Sequence, residues 1–559
     1  MELAAVIFLV ACALAGFGVT YLSGLALTLE ERIVFGVALG VVVVAVPGFL
    51  ASLAVRDVTA STVGFGLVVG LALGAAGIAT DRRQLVLDAA GARTRWLAAP
   101  RTPGHPWPLA AILVVCGAWT LHFFHQAYVF TPAGLYTGYV NIWGDWAAHL
   151  SFTGSFAYGH NFPPQFPIDP GNHLGYPFML DYFAAELIPF GLPLTEAVTA
   201  TSAMLALAFP GMLYLSAFRF AGWRLAAAIA VFVFLMSGGI GFVYLSGDLH
   251  SGGLAALQHL PREYTLNRDV DLQWLNPVLA YLVPQRTTLS GLCLALVVLV
   301  LIWLALREAS GWRTFLFAGL ITGVMPTFHV HAYGTVVALS AFWALFTRRR
   351  EWLAFFVPAV AIGVPILAWM WPPANNSVCT GLPSVGGYCI ALGWYTPGDL
   401  THDGPFVATW NFIWFWIWNT SLLLPLMIAA YGVQRWFPAA FPKWFAPMWL
   451  WFLVPNVIVL QPWIWDNTKF FIFWALLGSV LVGGVLAGML QRGPAPAIVA
   501  VVLMILLGLA GALDLTRASD YQTSNVQFTD EGGLKVAAWV RQNTSPYALF
   551  AVADEHNNP

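Results

Sequence analysis

The chain has 559 residues, of which 59% are apolar and 9% charged, with 24 Lys and Arg against 26 Asp and Glu. A soluble chain of this length would carry roughly a quarter charged residues, so the composition excludes a water-soluble enzyme and describes a membrane protein. The formal net charge of −2 provides no basic face for nucleic acid, whereas 26 Trp suit both membrane interfaces and the stacking of sugar rings.

A membrane-crossing helix needs about 20 predominantly apolar residues. Candidate spans lie at about 3–28, 33–55, 61–80, 108–128, 195–217, 224–245, 287–306, 314–326, 331–347, 352–371, 411–432, 445–461, 469–490 and 495–514. The expected fold class is therefore an all-α polytopic membrane protein with about 14 transmembrane helices (12 to 14), two of them short. The first run carries Glu2 where a signal peptide has its positive region, and it is too long for a signal's apolar core, so it reads as a retained span.

Lys and Arg collect on the cytoplasmic side of membrane proteins. With 81–107 placed inside, sixteen of the 24 cations fall inside as well, among them Arg32, Arg82, Arg83, Arg219, Arg307, Arg348 and Arg492. The outer side then holds the long connections 129–194, 246–286 and 372–410, the shorter 461–469, and the tail from 515, which makes it the working surface. Cys379 and Cys389 share one outer loop, where oxidising conditions permit a structural disulfide; the alternative is two free thiols.

The first outer loop opens with Asn141-Ile-Trp-Gly-Asp145-Trp-Ala-Ala-His149, the start of a helix expected to reach Tyr158. Asp145 and His149 are four residues apart and share a helix face. A carboxylate here can act as a general base for an acceptor hydroxyl, or Asp145 can simply cap the helix N-terminus. The pair could also hold a divalent metal, although no third ligand has diagnostic spacing. Asp169, His173, Tyr176, Asp181 and Glu186 follow, the last two acids on the polar side of a short stretch, 178–190, that fits a helix lying in the outer interface.

Loop 246–286 brings Arg262, Arg268 and, at a helix mouth, Pro284-Gln285-Arg286. An arginine so placed either anchors at headgroup level or clamps a phosphate. Asp466-Asn467-Thr468-Lys469 poses the same choice before a later span. Met325-Pro326-Thr327-Phe328-His329-Val330-His331 interrupts two short apolar runs, so the imidazoles either line a cavity or face water in a turn. At the end, 530–541 reads as a helix and 547–552 as a strand, a short α/β segment that is docked on the membrane domain or begins a larger outer domain.

Gly144-Asp145-Trp146, the aromatic-rich loop Asn161-Phe-Pro-Pro-Gln-Phe-Pro with Tyr176-Pro-Phe and Asp181-Tyr-Phe, Pro284-Gln285-Arg286 and Asp466-Asn467-Thr468-Lys469 resemble the GT-C superfamily of polytopic glycosyltransferases, within a bacterial branch. The likeness runs from about residue 108 to the end. It implies a GT-C-like membrane domain over 108–514, an added three-span module over 1–107 and an extracytoplasmic segment over 515–559. By position, the family's catalytic acid falls on Asp145. Two departures stand: three added spans precede the one that leads into that loop, and Trp146 occupies the place where the family often has an adjacent acid.

The resemblance implies transfer of a sugar from a polyprenyl-phosphate donor to an acceptor glycan, lipid or protein on the outer face of a bacterial cytoplasmic membrane. Asp145 and His149 are the expected catalytic groups. Arg286, Lys469, Arg262 and Arg268 would hold the phosphate, and His173, Asp181, His329, His331, Asp466 and Asn467 would line the cavity. No cofactor is expected, since phosphate is itself a leaving group. The rival function is a transporter or flippase of a lipid-linked or small polar substrate, which would set polar residues near the bilayer midplane; a third is a scaffold for envelope enzymes.

Overall fold

The computed structural model describes residues 2–100, 102, 104–308, 311–371, 384–385, 388–390, 404–437, 440–461, 464–545, 548 and 550. Three helices, α1 (Glu2–Val19), α2 (Leu29–Val55) and α3 (Ala60–Thr80), pack backbone to backbone. Gly16 lies on Gly36 and Gly40, and Gly18 on Gly74, so closely that a Cβ would overlap main-chain atoms. Without a hydrophobic drive inside lipid, such close approach through small residues is what holds helices together. Thr28 with Glu31 and Thr59 with Thr62 form capping boxes that fix where α2 and α3 begin. Arg32, fully buried, donates to Asp88 at 2.7 Å and so fastens α4 (Arg82–Leu97) beneath α2.

After α5 (Trp107–His125) comes a hairpin, β1 (Val129–Thr131) and β2 (Gly134–Thr137), then α6 (Val140–Gly159) and a second hairpin, β3 (Gln165–Phe166) and β4 (Asp169–His173). Helix α7 (Met179–Ala185) follows. It corrects the interfacial helix expected over 178–190: every residue of α7 is buried, and Asp181 and Glu186 are both 0% exposed. The reason is tertiary, because Tyr182 and Phe178 pack on Phe49 of α2 and the Tyr182 hydroxyl meets Ser52 at 2.8 Å.

The chain continues through α8 (Leu194–Ala221), α9 (Arg224–Leu235), α10 (Leu245–Gly252), α11 (Arg286–Arg307), α12 (Trp312–Val324), α13 (Val330–Thr347) and α14 (Trp352–Met370). Next come β5 (Ser384–Val385), β6 (Tyr388–Ile390), α15 (Pro405–Thr420), α16 (Leu423–Gly432), α17 (Phe441–Phe445), α18 (Met448–Leu453), β7 (Ile458–Val459), α19 (Thr468–Leu490) and α20 (Pro494–Ser519). The end is α21 (Tyr521–Ser524), β8 (Val526–Asp530) and α22 (Glu531–Asn543). Helices α11 and α19 form the centre and are buried along almost their whole length.

Among the described residues ten helices are long and apolar enough to cross a membrane, and eleven if the bent pair α15–α16 counts as one span. The chain is a multi-pass membrane protein, and four of the fourteen expected spans take other forms. Helix α9 has 12 residues and stops before Gly238-Gly239. Helix α12 has 13 and ends at Val324, ahead of a 3-10 turn that contains Pro326. Stretch 411–432 bends by 101°, with Ser421 at a φ of 54°. Stretch 445–461 is cut by Pro447 and Pro455 into α18 and a short 3-10 turn.

The C-terminal segment docks on the first loop. Strand β8 pairs antiparallel with β2, Gly134 opposite Asp530 and Thr137 opposite Val526, which completes a β1-β2-β8 sheet. Cys389 is disulfide-bonded. Cys379, and most of the strand expected over 547–552, lie outside the described residues.

Candidate active site

Helix α6 begins at Val140, so Asp145 sits within it and does not cap its start. The helix is pinned from outside: Trp146 Nε1 donates to Pro284 O at 2.9 Å and Asn141 Nδ2 to Leu279 O at 3.1 Å. Asp145 is half-buried, and among the described residues its carboxylate accepts no hydrogen bond. Burial pushes its pKa above the usual carboxylate range, a rise that the nearby charges of His149 and Lys469 partly offset and that of Asp466 reinforces.

One turn on, His149 is buried and donates from Nδ1 to both Asp181 oxygens, at 3.0 and 2.9 Å. Asp181 also stands 3.5 Å from Nε of Arg286, which is 0% exposed. The other Arg286 donors go to Val198 O (3.1 Å), Leu180 O (3.0 Å) and Thr201 Oγ1 (3.0 Å). The guanidinium expected to clamp a phosphate is thus enclosed by the protein's own acceptors. A histidine whose Nδ1–H is held by a carboxylate keeps Nε2 as its basic nitrogen.

Lys469, in the first turn of α19, pairs with Asp466 at 2.9 Å and is 7% exposed. Its charge acts on Asp145 and on Tyr176, whose ring stands 5.9 Å from that of His149 and whose hydroxyl is 3.5 Å from Thr287 Oγ1. At the α12–α13 break, His329 Nε2 meets Thr288 Oγ1 at 3.3 Å, and Thr288 donates to Gln285 Oε1 at 3.0 Å. His331 lies 5.1 Å from His329, ring to ring, against Phe470. Among the described residues its buried Nε2 has no hydrogen-bond partner. Neither imidazole faces water, so the outer-turn alternative is excluded.

The structure therefore gathers Asp145, His149, Asp181, Arg286, Lys469, Asp466, His329 and His331 around the first turns of α11, α13 and α19. It places four other expected residues elsewhere. His173 stacks on Trp369, 5.9 Å away. Asn467 is a structural cap, receiving Leu460 N and donating to Pro455 O and Ile458 O. Arg262 pairs with Asp248 at 2.8 Å, and Arg268 is exposed in a 3-10 turn. Tyr176, Gln285 and Thr288 belong to the group without having been named as site residues; the polar run Gln285-Arg286-Thr287-Thr288 ahead of the apolar α11 was the signal for the last two, and the Tyr176-Pro-Phe motif the signal for the first. Among the described residues no three His, Cys, Asp or Glu converge in a metal-holding group.

No protein-family model matches the chain, and no curated protein matches it. Among solved structures, the archaeal oligosaccharyltransferase AglB from Archaeoglobus fulgidus, in complex with an inhibitory peptide and a dolichol-phosphate, is similar with 14% identity and a TM-score of 0.36 over 80% of this chain. The apo form of the Archaeoglobus fulgidus oligosaccharyltransferase gives a TM-score of 0.38 at 14% identity, also over 80% of this chain. This chain spans 61% and 62% of the length of those two structures.

Proposed function

We propose that the protein is a membrane glycosyltransferase of GT-C type that moves a sugar from a polyprenyl-phosphate donor to an acceptor hydroxyl on the outer face of a bacterial cytoplasmic membrane. The observation that carries this reading is the Asp145 carboxylate, which among the described residues accepts no hydrogen bond and is acted on by the Lys469 charge, in a site that also holds the His331 Nε2, likewise without a partner among those residues. An acid without a structural partner is available to take a proton, and a cation with an unpaired imidazole is what a phosphate needs beside it.

In the reaction, the acceptor oxygen bonds to the anomeric carbon while the bond from that carbon to the phosphate oxygen breaks. Asp145 takes the hydroxyl proton, and the electron pair leaves on the phosphate. Lys469 stabilises the charge that develops there, and its carboxylate neighbours stabilise the oxocarbenium character at carbon. Arg286 serves through Asp181, which fixes the His149 ring next to Asp145. Donor and acceptor lipids would be the protein's partners, with outer Trp and Tyr rings against sugar.

The test is sugar transfer from a panel of polyprenyl-phosphate monosaccharides by the full chain in liposomes, compared with Asp145→Asn and Lys469→Gln. Loss of the base should slow transfer by roughly 10²–10⁴-fold. Equal rates for wild type and Asp145→Asn would remove the assigned base, and absence of transfer from every donor would remove the function.

A further inference from the structure

Tyr176, in the connection between β4 and α7, belongs to the Asp145 group but has no part in the proton and phosphate steps of transfer. Its side chain is half-buried, with the ring 5.5 Å from that of Phe152 and edge-on to His149 at 5.9 Å. These two rings, and not a hydrogen bond, set where the phenol stands. The hydroxyl reaches the first turn of α11, where Thr287 Oγ1 lies 3.5 Å away.

A formed bond between two hydroxyls measures about 2.5–3.0 Å, so that contact commits neither O–H. Among the described residues it is the only polar contact of either side chain, although Thr287 is 2% exposed. Burial pushes the Tyr176 phenol above its usual range and the charges of Asp145 and Asp181 add to the rise, while Lys469 and Thr287 offset part of it. The hydroxyl therefore keeps its proton and is a hydrogen-bond donor within the field of Lys469.

Such a donor answers a need of this site. Lys469 shares its charge with Asp466 at 2.9 Å, and the Arg286 guanidinium is enclosed at 0% exposure. A phosphate beside Lys469 thus meets little uncompensated positive charge, and neutral O–H donors must hold the charge that develops on it.

We propose that Tyr176 is a catalytic residue whose hydroxyl donates to a phosphate oxygen of the donor beside Lys469, with Thr287 positioning that hydroxyl. The inference rests on the transfer reaction proposed for the Asp145 group. No proton leaves Tyr176: as the bond from the anomeric carbon to the phosphate oxygen breaks, the electron pair goes to the phosphate and the hydrogen bond strengthens with it.

Tyr176→Phe removes one oxygen and keeps the ring contacts with His149 and Phe152. With the full chain in liposomes, kcat for transfer from polyprenyl-phosphate monosaccharides should fall by roughly 10²-fold, the loss typical of one such donor, with KM little changed. Thr287→Val should lower kcat severalfold in the wild type and have no further effect in Tyr176→Phe, because it acts through that hydroxyl.

A polyprenyl phosphate, the lipid that transfer leaves behind, is titrated into the detergent-solubilised full chain beside the corresponding polyprenol. Tyr176→Phe should weaken the phosphate by about tenfold and leave the alcohol unchanged. Equal loss of phosphate and alcohol would mark a packing role and overturn the inference. Transfer by the wild type at a rate that Tyr176→Phe matches, or phosphate binding indifferent to the hydroxyl, would overturn it while the assigned base stands. Absence of transfer from every donor would remove the reaction and this inference together.

Discussion

The pair Asp181 and Arg286 makes the sharpest physical demand in the structure, since both side chains are 0% exposed. Replacing Asp181 with Leu leaves the guanidinium buried without a counter-charge, which costs about 3–5 kcal/mol in comparable buried pairs. It also unpairs the His149 Nδ1–H, for about 1–3 kcal/mol unless the ring changes tautomer. In Asp181→Leu with Arg286→Met the stranded charge is gone, and apolar side chains of similar volume fill the space. The carbonyls of Leu180 and Val198 lie in helices and keep their main-chain partners, so the double variant should lose only the His149 share. The double variant is therefore expected to be more stable than the single one by about 2 kcal/mol or more. Denaturant titration in detergent, followed by a thiol-reactive fluorophore on the buried thiols Cys12 and Cys293 in a Cys116→Ser background, reads this difference. A double variant no more stable than Asp181→Leu alone would refute the pairing.

Glu186 offers the opposite case: among the described residues neither of its buried oxygens has a well-formed hydrogen bond, and burial holds its carboxyl well above the usual range, a rise that the neighbouring Tyr182 hydroxyl partly offsets. Glu186→Leu should thus be neutral or stabilising in the same titration, whereas Gly48→Ala, whose Cβ would overlap that carboxyl, should cost roughly 1–3 kcal/mol and be rescued by Glu186→Ala. Asp514 accepts from Tyr264 N at 2.5 Å and Thr265 N at 2.8 Å; Asp514→Ala should cost about 1–3 kcal/mol for each unpaired donor and speed hydrogen exchange at 264–265. The Asp145 carboxyl is harder to ionise in the folded chain than in the unfolded one. Stability should therefore fall as pH rises from the ordinary carboxylate range through the raised one, and Asp145→Asn should flatten that part of a melting-temperature profile.

Much of this site was legible locally and little of it across the chain. Asp145 and His149 share a face because they are four residues apart on one helix, which spacing alone fixes. The partner of His149 lies 32 residues away on a helix whose acids look solvent-facing by pattern, and only its packing against α2 reverses that. Arg262 and Arg286 give the same signal, an arginine in an outer loop, yet one is exposed on Asp248 and the other enclosed. Long apolar runs such as α11 and α19 declare themselves, whereas 411–432 and 445–461 have the composition of spans but not their continuity. Pairing of β2 with β8 joins residues nearly 400 positions apart and has no local trace.

On the proposed function, the charges around Asp145 predict how its basicity changes when the donor binds. Arg286 is balanced by Asp181 and Lys469 by Asp466, which leaves Asp145 as the unbalanced acid of the group. Its ionised form is favoured by His149 and Lys469 and opposed by Asp466 and by burial. A donor phosphate beside Lys469 adds negative charge and screens the cation, and both effects favour the protonated carboxyl, so Asp145 becomes a stronger base once the donor is in place. The acidic limb of kcat, which reports the complex, should then lie at higher pH than the acidic limb of kcat/KM, which reports free enzyme. In Lys469→Gln the cation is absent from both states, so the free-enzyme limb should rise towards that of the complex and the gap should narrow. A kcat limb at or below that of kcat/KM in the wild type, or a gap unchanged in Lys469→Gln, would show that the phosphate does not settle against Lys469.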